Sequence, residues 1–197
     1  MIEIKNNAKL SEILVAYFLS EYYFHTKLIV GDSEKCPDIV SCDNSFSVEV
    51  VICELNSFHY YQALKRNYDW NVFPILQVNY DSSFEVVKNR FEEIISGKVQ
   101  KFYKGYYSKA AIPIYLAIDS MMGIFDKLDL YAIRTAIENL EKLQGLPFKS
   151  IIWLSRYGIY EKMQNNFRII TEFEQSTYHE KVLLYEKLCG KNFDNYK

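Results

Sequence analysis

Glycine and proline are scarce in this sequence, with 7 Gly and 4 Pro among 197 residues. Because these residues mark turns and linkers, their scarcity favours one compact domain over residues 1–197. The chain has no apolar run long enough to cross a bilayer, and its first residues lack the charged-then-apolar order of a signal peptide. We therefore expect a cytoplasmic protein with no membrane partner.

Several familiar motifs are also missing. The 4 cysteines form no CxxC pair, and the spacing of Cys36 and Cys42 matches no familiar zinc module, so reduced thiols are expected. The sequence contains no Gly-rich phosphate loop, no GxGxxG fingerprint and no nucleophile elbow. The formal net charge of −2 argues against a protein that coats nucleic acid by bulk charge, but it leaves room for a local basic patch.

Apolar residues recur at helical and strand spacing in alternation along the chain, which predicts an α/β fold. Aromatic residues are abundant, with 17 Tyr and 13 Phe, and most of them are expected in the core or at its margin. The predicted helices span residues 7–25, 57–68, 82–96 (ended by Gly97), 126–143 and 177–188. The predicted strands span residues 26–31, 72–79, 112–118, 150–154 and 166–173, and a hairpin lies within residues 36–54.

The predicted hairpin carries two carboxylates. From residue 46 to 52 one face of the strand is wholly apolar, and Glu49 lies on the other face. Asp43 and Asn44 favour a two-residue turn, since both tolerate unusual backbone angles. A turn centred there places Asp38 directly opposite Glu49, with Cβ atoms about 4.5–5.5 Å apart. A slip of one residue in the register would separate the pair.

Two interpretations of this pair stay open. A divalent cation between the carboxylates would remove their repulsion and use their oxygens as hard ligands. Alternatively, both acids point into solvent from the exposed face of an antiparallel hairpin, as charged residues usually do.

The order of these residues resembles a known superfamily. Pro37-Asp38, followed eleven residues later by Glu49 in a helix–strand–hairpin–helix order, resembles the PD-(D/E)xK, or restriction-endonuclease-like, nucleases. The resemblance covers about residues 8–120, and residues 121–197 form an α/β C-terminal extension. It implies a central mixed sheet with an antiparallel hairpin flanked by helices. It also implies that Asp38 and Glu49 hold Mg²⁺ (or Mn²⁺) and that Glu12, in the first helix, joins the catalytic site.

The resemblance fails at one position. The lysine that the superfamily places two residues after the glutamate, where it orients or activates the attacking water and stabilises the phosphate, is Val51 here. Because some members supply this lysine from a neighbouring element, Lys65 in the following helix is the preferred catalytic substitute, with Lys35 as a second candidate. Gln62 matches the polar residue that the same helix directs to the site, and we expect it to contact nucleic acid.

A basic and aromatic segment offers a surface for nucleic acid. Residues 94–118 contain no acid, and lysines alternate there with phenylalanine and tyrosine. The alternative is a solvated helix end whose tyrosines pack inward. The lysines predicted to bind nucleic acid are Lys98, Lys101, Lys104 and Lys109.

Together these features predict a Mg²⁺-dependent nuclease that hydrolyses the phosphodiester bonds of nucleic acid, with DNA favoured and a homodimer as a candidate assembly. A second hypothesis is a catalytically inactive module of the same fold that binds nucleic acid or protein, which the missing lysine favours. A third is an unrelated α/β protein whose tyrosine-rich surface binds another protein.

Overall fold

The computed structural model describes residues 1–6, 8–31, 37–53, 84–120, 129–155, 157–163 and 167–174. Within these ranges there are three helices: α1 (Leu10–Tyr22), α2 (Phe84–Tyr103) and α3 (Asp129–Gln144). The strands are β1 (Ile2–Ile4), β2 (Leu28–Val30), β3 (Ile39–Ser41), β4 (Ser47–Ile52), β5 (Ile114–Ser120), β6 (Ile151–Ser155), β7 (Gly158–Lys162) and β8 (Phe167–Glu172).

The eight strands form one mixed sheet in sequential order, β1 to β8. Neighbouring strands are parallel at β1–β2, β4–β5 and β5–β6, and antiparallel at β2–β3, β3–β4, β6–β7 and β7–β8. Helices α1 and α3 connect parallel neighbours along the chain, and α2 lies between β4 and β5, as parallel pairing requires. The predicted α/β class is confirmed.

Helices cover both faces of the sheet. Because successive side chains of a strand point to opposite faces, β5 divides its residues between two apolar clusters. Ala117 packs with α1, whereas Leu116 and Ile118 pack with α2 and α3. Both clusters contain side chains with almost no exposed surface, so the centre of the sheet is buried on both sides.

The register of the β3–β4 hairpin is the one that the turn predicts. Ile39 pairs with Val48, and Val40 pairs with Ser47. Asn44 takes a positive φ of 58° in the turn, and Asp43 accepts a hydrogen bond from the backbone N–H two residues later at 3.1 Å. The predicted pairing of the two strands is therefore confirmed.

Helix α2 is longer than predicted. It continues through Gly97 to Tyr103, and Gly105, with a φ of +74°, ends the helical conformation two residues later. The N–H of Gly105 donates to the carbonyl of Phe102 at 2.9 Å, and that of Tyr106 donates to the carbonyl of Lys101 at 3.2 Å. These two bonds form a Schellman motif, so the prediction that Gly97 ends the helix is wrong.

Two strands were not predicted, and three predicted elements lie outside the described residues. Strands β1 and β7 were not predicted, since β1 has only three residues and β7 starts with a glycine that resembles a turn signal. The helices predicted over 57–68 and 177–188, and the strand over 72–79, lie outside the described residues. None of the described helices is long and apolar enough to cross a membrane.

Gly97 offers a test of the extended helix. No heavy atom outside its own helix lies within 4 Å of the position that a Cβ at residue 97 would take. We expect Gly97→Ala to raise the free energy of unfolding by about 0.5–1 kcal/mol, because alanine has the higher helix propensity. Denaturant unfolding measures this change. Gly105→Ala is the matched control and should destabilise the protein, and a destabilised Gly97→Ala protein would contradict a continuous α2.

Candidate active site

A cleft of about 590 Å³ lies where the start of α1, the hairpin strand β4 and helix α2 meet. Three carboxylates and four cationic side chains line the cleft, together with one serine and the last three residues of β4. The carboxylates are those of Glu12, Asp38 and Glu49, and the cations are those of Lys9, Arg90, Lys98 and Lys101. The three acids that the sequence assigned to the site therefore share one cleft.

Asp38 lies immediately before β3 and is held against β4. Its Oδ2 accepts a hydrogen bond from the backbone N–H of Val50 at 2.8 Å. The Asp38 side chain thus adds one hydrogen bond between the two strands, next to the first backbone pair of β3. Among the described residues no group donates to the second carboxylate oxygen, Oδ1, which could therefore bind a ligand in the cleft.

Glu49 lies in the middle of β4 and is only 5% exposed. Its neighbours on the same face, Val51 and Cys53, pack in the cluster formed by α2 and α3. The alternative in which both acids point into solvent is therefore wrong for Glu49. The opposite face of β4, with Val48 and Val50, packs against α1.

Lys98 of α2 supplies the cation beside Glu49. Its ammonium group donates to Glu49 Oε1 and, at 3.0 Å, to the carbonyl oxygen of Val50. The Lys98 side chain is 15% exposed, so this ion pair is largely removed from water. Because Glu49 and Val51 share a face of β4, the ammonium lies on the side of the strand where a lysine at position 51 would point.

Glu12 is buried near the start of α1. Its Oε2 accepts from the backbone N–H of Lys9 at 3.0 Å, and its Oε1 accepts from the Lys9 ammonium at 2.7 Å. The first of these bonds is the glutamate half of a capping box, which satisfies a free N–H at the helix start. The same carboxylate therefore stabilises α1 and lines the cleft.

The Asp38 carboxylate lies near both glutamates of the cleft. Burial and the nearby Asp38 carboxylate raise the pKa of Glu49, and the same two causes raise the pKa of Glu12. Asp38 lies close enough to both glutamates to repel them, and its own carboxylate forms no ion pair with the described residues. A cation that entered the cleft would relieve this repulsion.

Tyr107 lies beside Glu49 on the segment that follows α2. Burial, followed by the charge of Glu49, raises the pKa of Tyr107, so its hydroxyl stays protonated. The hydroxyl is buried, and it lies close enough to the Glu49 carboxylate for the two groups to interact, although the pair does not meet the strict geometry of a hydrogen bond. It is a donor at the edge of the site that the sequence did not identify.

The remaining residues that the sequence assigned to the site differ in where they lie. Lys101 lines the cleft and forms no ion pair with any residue in the described ranges, whereas Lys104 and Lys109 lie exposed on the segment after α2. Gln62, Lys65 and Lys35 lie outside the described residues. Lys98, predicted to contact nucleic acid, instead contacts Glu49.

The donor set of the cleft bears on which metal ion it could hold. No group of three or more His, Cys, Asp or Glu side chains in the described part of the chain is arranged to hold a metal ion. A site built from two carboxylates remains compatible with Mg²⁺, which usually keeps several waters and takes only one or two carboxylates from the protein.

Comparisons with known proteins identify no relative. No protein-family model, no curated protein and no solved structure matches this chain.

Proposed function

We propose that this protein is a metal-dependent nuclease that hydrolyses phosphodiester bonds of nucleic acid, with its active site in the cleft of Asp38 and Glu49. The observation that carries the proposal is the convergence in one cleft of these two carboxylates with a lysine from a different element, Lys98. Carboxylates bind a divalent cation, and an ammonium beside them stabilises the charge that develops on a phosphate during hydrolysis.

The order of elements supports a restriction-endonuclease-like core. Helix α1, strand β2, the β3–β4 hairpin and the later helix α2 follow one another in the chain, and helices flank the mixed sheet on both faces. The aspartate directly precedes the first hairpin strand, and the glutamate lies within the second. This arrangement agrees with what the Pro37-Asp38 motif implies.

The residues present suit a hard divalent cation. Oxygen atoms of Asp38 and Glu49 are the ligands that Mg²⁺ and Mn²⁺ prefer, and the charge that raises the pKa of Glu49 is the charge that a bound cation would neutralise. When bound, the ion would lower the pKa of a water ligand and offset negative charge on the phosphate. Glu12 adds a third carboxylate to the lining of the cleft.

The chain's own contribution is to fix these groups in place. The N–H of Val50 holds Asp38 against β4, and the Lys98 ammonium orients Glu49 by donating to one of its oxygens. Lys101 lies three residues after Lys98 on α2, and its cation is available to a phosphate. Helix α2 therefore presents two lysines to the cleft, Lys98 paired with Glu49 and Lys101 with no ion-pair partner among the described residues.

The direct test is hydrolysis of labelled DNA and RNA by the purified chain. We expect fragments in Mg²⁺ or Mn²⁺, none in EDTA, and none from Asp38→Asn under either condition. A preparation that binds nucleic acid without cleaving it in either metal would refute the enzyme and favour the binding module. Cleavage that Asp38→Asn leaves intact would indicate a contaminating nuclease or another site.

The basic end of α2 gives an independent prediction for binding. We expect the double substitution Lys101→Glu with Lys104→Glu to weaken nucleic-acid affinity and to lower the slope of log K against log salt by about one unit per lost phosphate contact. Fluorescence anisotropy over a salt series measures both quantities. Lys142→Glu, an exposed lysine of α3 that does not line the cleft, is the matched control. Equal slopes for the parent, the double variant and Lys142→Glu would show that this segment is ordinary solvated surface and does not contact the phosphates.

A further inference from the structure

The turn that follows α2 exposes an aromatic ring. Tyr106, three residues after the end of α2, is 56% exposed. Its N–H donates to the carbonyl of Lys101, which lines the cleft, and the next residue, Tyr107, carries its hydroxyl to the side of Glu49. The backbone of Tyr106 is thus hydrogen-bonded to a residue that lines the cleft and adjoins the residue that lies beside Glu49.

The conformation of this segment is well defined. The Schellman motif at Gly105 fixes the turn that follows α2, and the ring of Tyr107 packs into the cluster beneath α2 and α3. The Tyr107 ring also contacts that of Phe102, with centroids 6.1 Å apart. Tyr106 is therefore an exposed ring on an anchored turn, so little conformational entropy is lost when it contacts a flat partner.

The charge around this ring favours a polyanion. Residues 94–118 contain no acid, Lys101 and Lys104 precede the ring, and Lys101 has no ion-pair partner within the described residues. An aromatic ring among cations binds a nucleic-acid strand through phosphate contacts and base stacking. A ring can stack only on a base whose face is free, and in a duplex neighbouring base pairs cover those faces.

We infer that Tyr106 is a stacking platform for an unpaired base next to the cleft, so that the substrate is single-stranded nucleic acid or a single-stranded end. The inference rests on the proposed nuclease function and adds the substrate class. The strand would cross the C-terminal end of α2, with its phosphates on Lys101 and Lys104 and one base on Tyr106. DNA and RNA share this chemistry, and the experiment separates them.

The experiment compares oligonucleotide binding by fluorescence anisotropy in EDTA, where no cleavage occurs. The probes are a labelled pyrimidine oligonucleotide of about 12 nucleotides as DNA, the same sequence as RNA, and the blunt DNA duplex. We expect one of the single strands to bind about tenfold more tightly than the duplex, and Tyr106→Ala to remove about tenfold of that affinity while leaving duplex binding unchanged. Tyr106→Phe should keep the single-strand affinity, because the ring stacks without its hydroxyl.

A matched control exists on another helix. Tyr131 of α3 is 58% exposed, but it contacts Phe84 at the opposite end of α2, so Tyr131→Ala should bind every probe as the parent does. Equal affinity of the parent for duplex and single strand, with no effect of Tyr106→Ala, would overturn the inference. In that case Mg²⁺-dependent cleavage of the duplex would leave the proposed function standing. A parent that neither binds nor cleaves any probe would refute both.

Discussion

Lys98→Met should lower turnover in Mg²⁺ by about 10²–10³-fold while leaving the affinity for substrate almost unchanged. The methionine keeps an unbranched apolar side chain but removes the ammonium that contacts Glu49 and the Val50 carbonyl. Removing a single preorganised group that stabilises developing charge commonly has an effect of this size on kcat. Single-turnover kinetics, with binding measured separately, distinguish the two effects.

A matched control and a rescue make this prediction specific. Arg90 lies on the same helix and lines the same cleft, but its guanidinium pairs with Glu93 at 2.8 Å, so Arg90→Met should stay within about threefold of the parent's kcat. Val51 shares a face with Glu49. Adding Val51→Lys to the Lys98→Met protein returns the cation to the position used by the superfamily, and we expect it to recover at least tenfold of the lost turnover.

Two outcomes would contradict the assignment. If Lys98→Met is folded, as circular dichroism would report, and turns over at the parent's rate, the Glu49–Lys98 pair is only structural. The catalytic cation would then have to come from elsewhere, and Lys65 would be the next candidate. A Lys98→Met protein that loses substrate affinity and turnover equally would show that Lys98 acts in binding and not in the transition state.

The hairpin was predictable from sequence because its geometry depends on neighbouring residues. A turn-forming pair, Asp43-Asn44, and the two-residue period of the strand together determine which residues face one another. The observed pairs Ile39–Val48 and Val40–Ser47 follow from these two features alone. The pairing of Asp38 with Glu49 could therefore be predicted without knowing the rest of the sheet.

The partner of Glu49 was not predictable in the same way. Lys98 is 49 residues from Glu49, and their contact depends on how α2 packs across the sheet. A signal was present, since the buried residues of α2 recur every four positions and continue past Gly97. The predicted helix ends at Gly97 because glycine in a helix interior costs about 1 kcal/mol relative to alanine. Tertiary packing can offset this cost, so the helix continues and carries Lys98 to Glu49.

The metal-free protein should tolerate the loss of the Asp38 charge. We expect Asp38→Asn in EDTA to be as stable as the parent or more stable, although the substitution removes all turnover. The asparagine oxygen still accepts the Val50 N–H. Burial continues to raise the pKa of Glu12 and Glu49, but the Asp38 charge that adds to this effect is gone. A charge that lowers the stability of the metal-free protein is the pattern expected of a functional site.

In Mg²⁺ we expect the parent to be more stable than Asp38→Asn, the reverse of the order expected in EDTA. With Mg²⁺ at about ten times its Kd, the parent gains about 1.4 kcal/mol of stability by mass action, which corresponds to a rise in Tm of a few degrees. Asp38→Asn should show no such rise, because one of the two proposed ligands has become neutral. Thermal unfolding in EDTA and in Mg²⁺ measures both effects on the same samples.

Asp43→Asn is the matched control, since it removes an exposed aspartate from the hairpin turn and keeps an acceptor for the Ser45 N–H. It should respond to Mg²⁺ as the parent does. A parent whose Tm does not change with Mg²⁺ or Mn²⁺ would argue against a metal site in this cleft. An Asp38→Asn protein that is less stable than the parent in EDTA would show that the aspartate charge stabilises the fold through Lys98 or Lys101, so that a structural role would be sufficient to explain it.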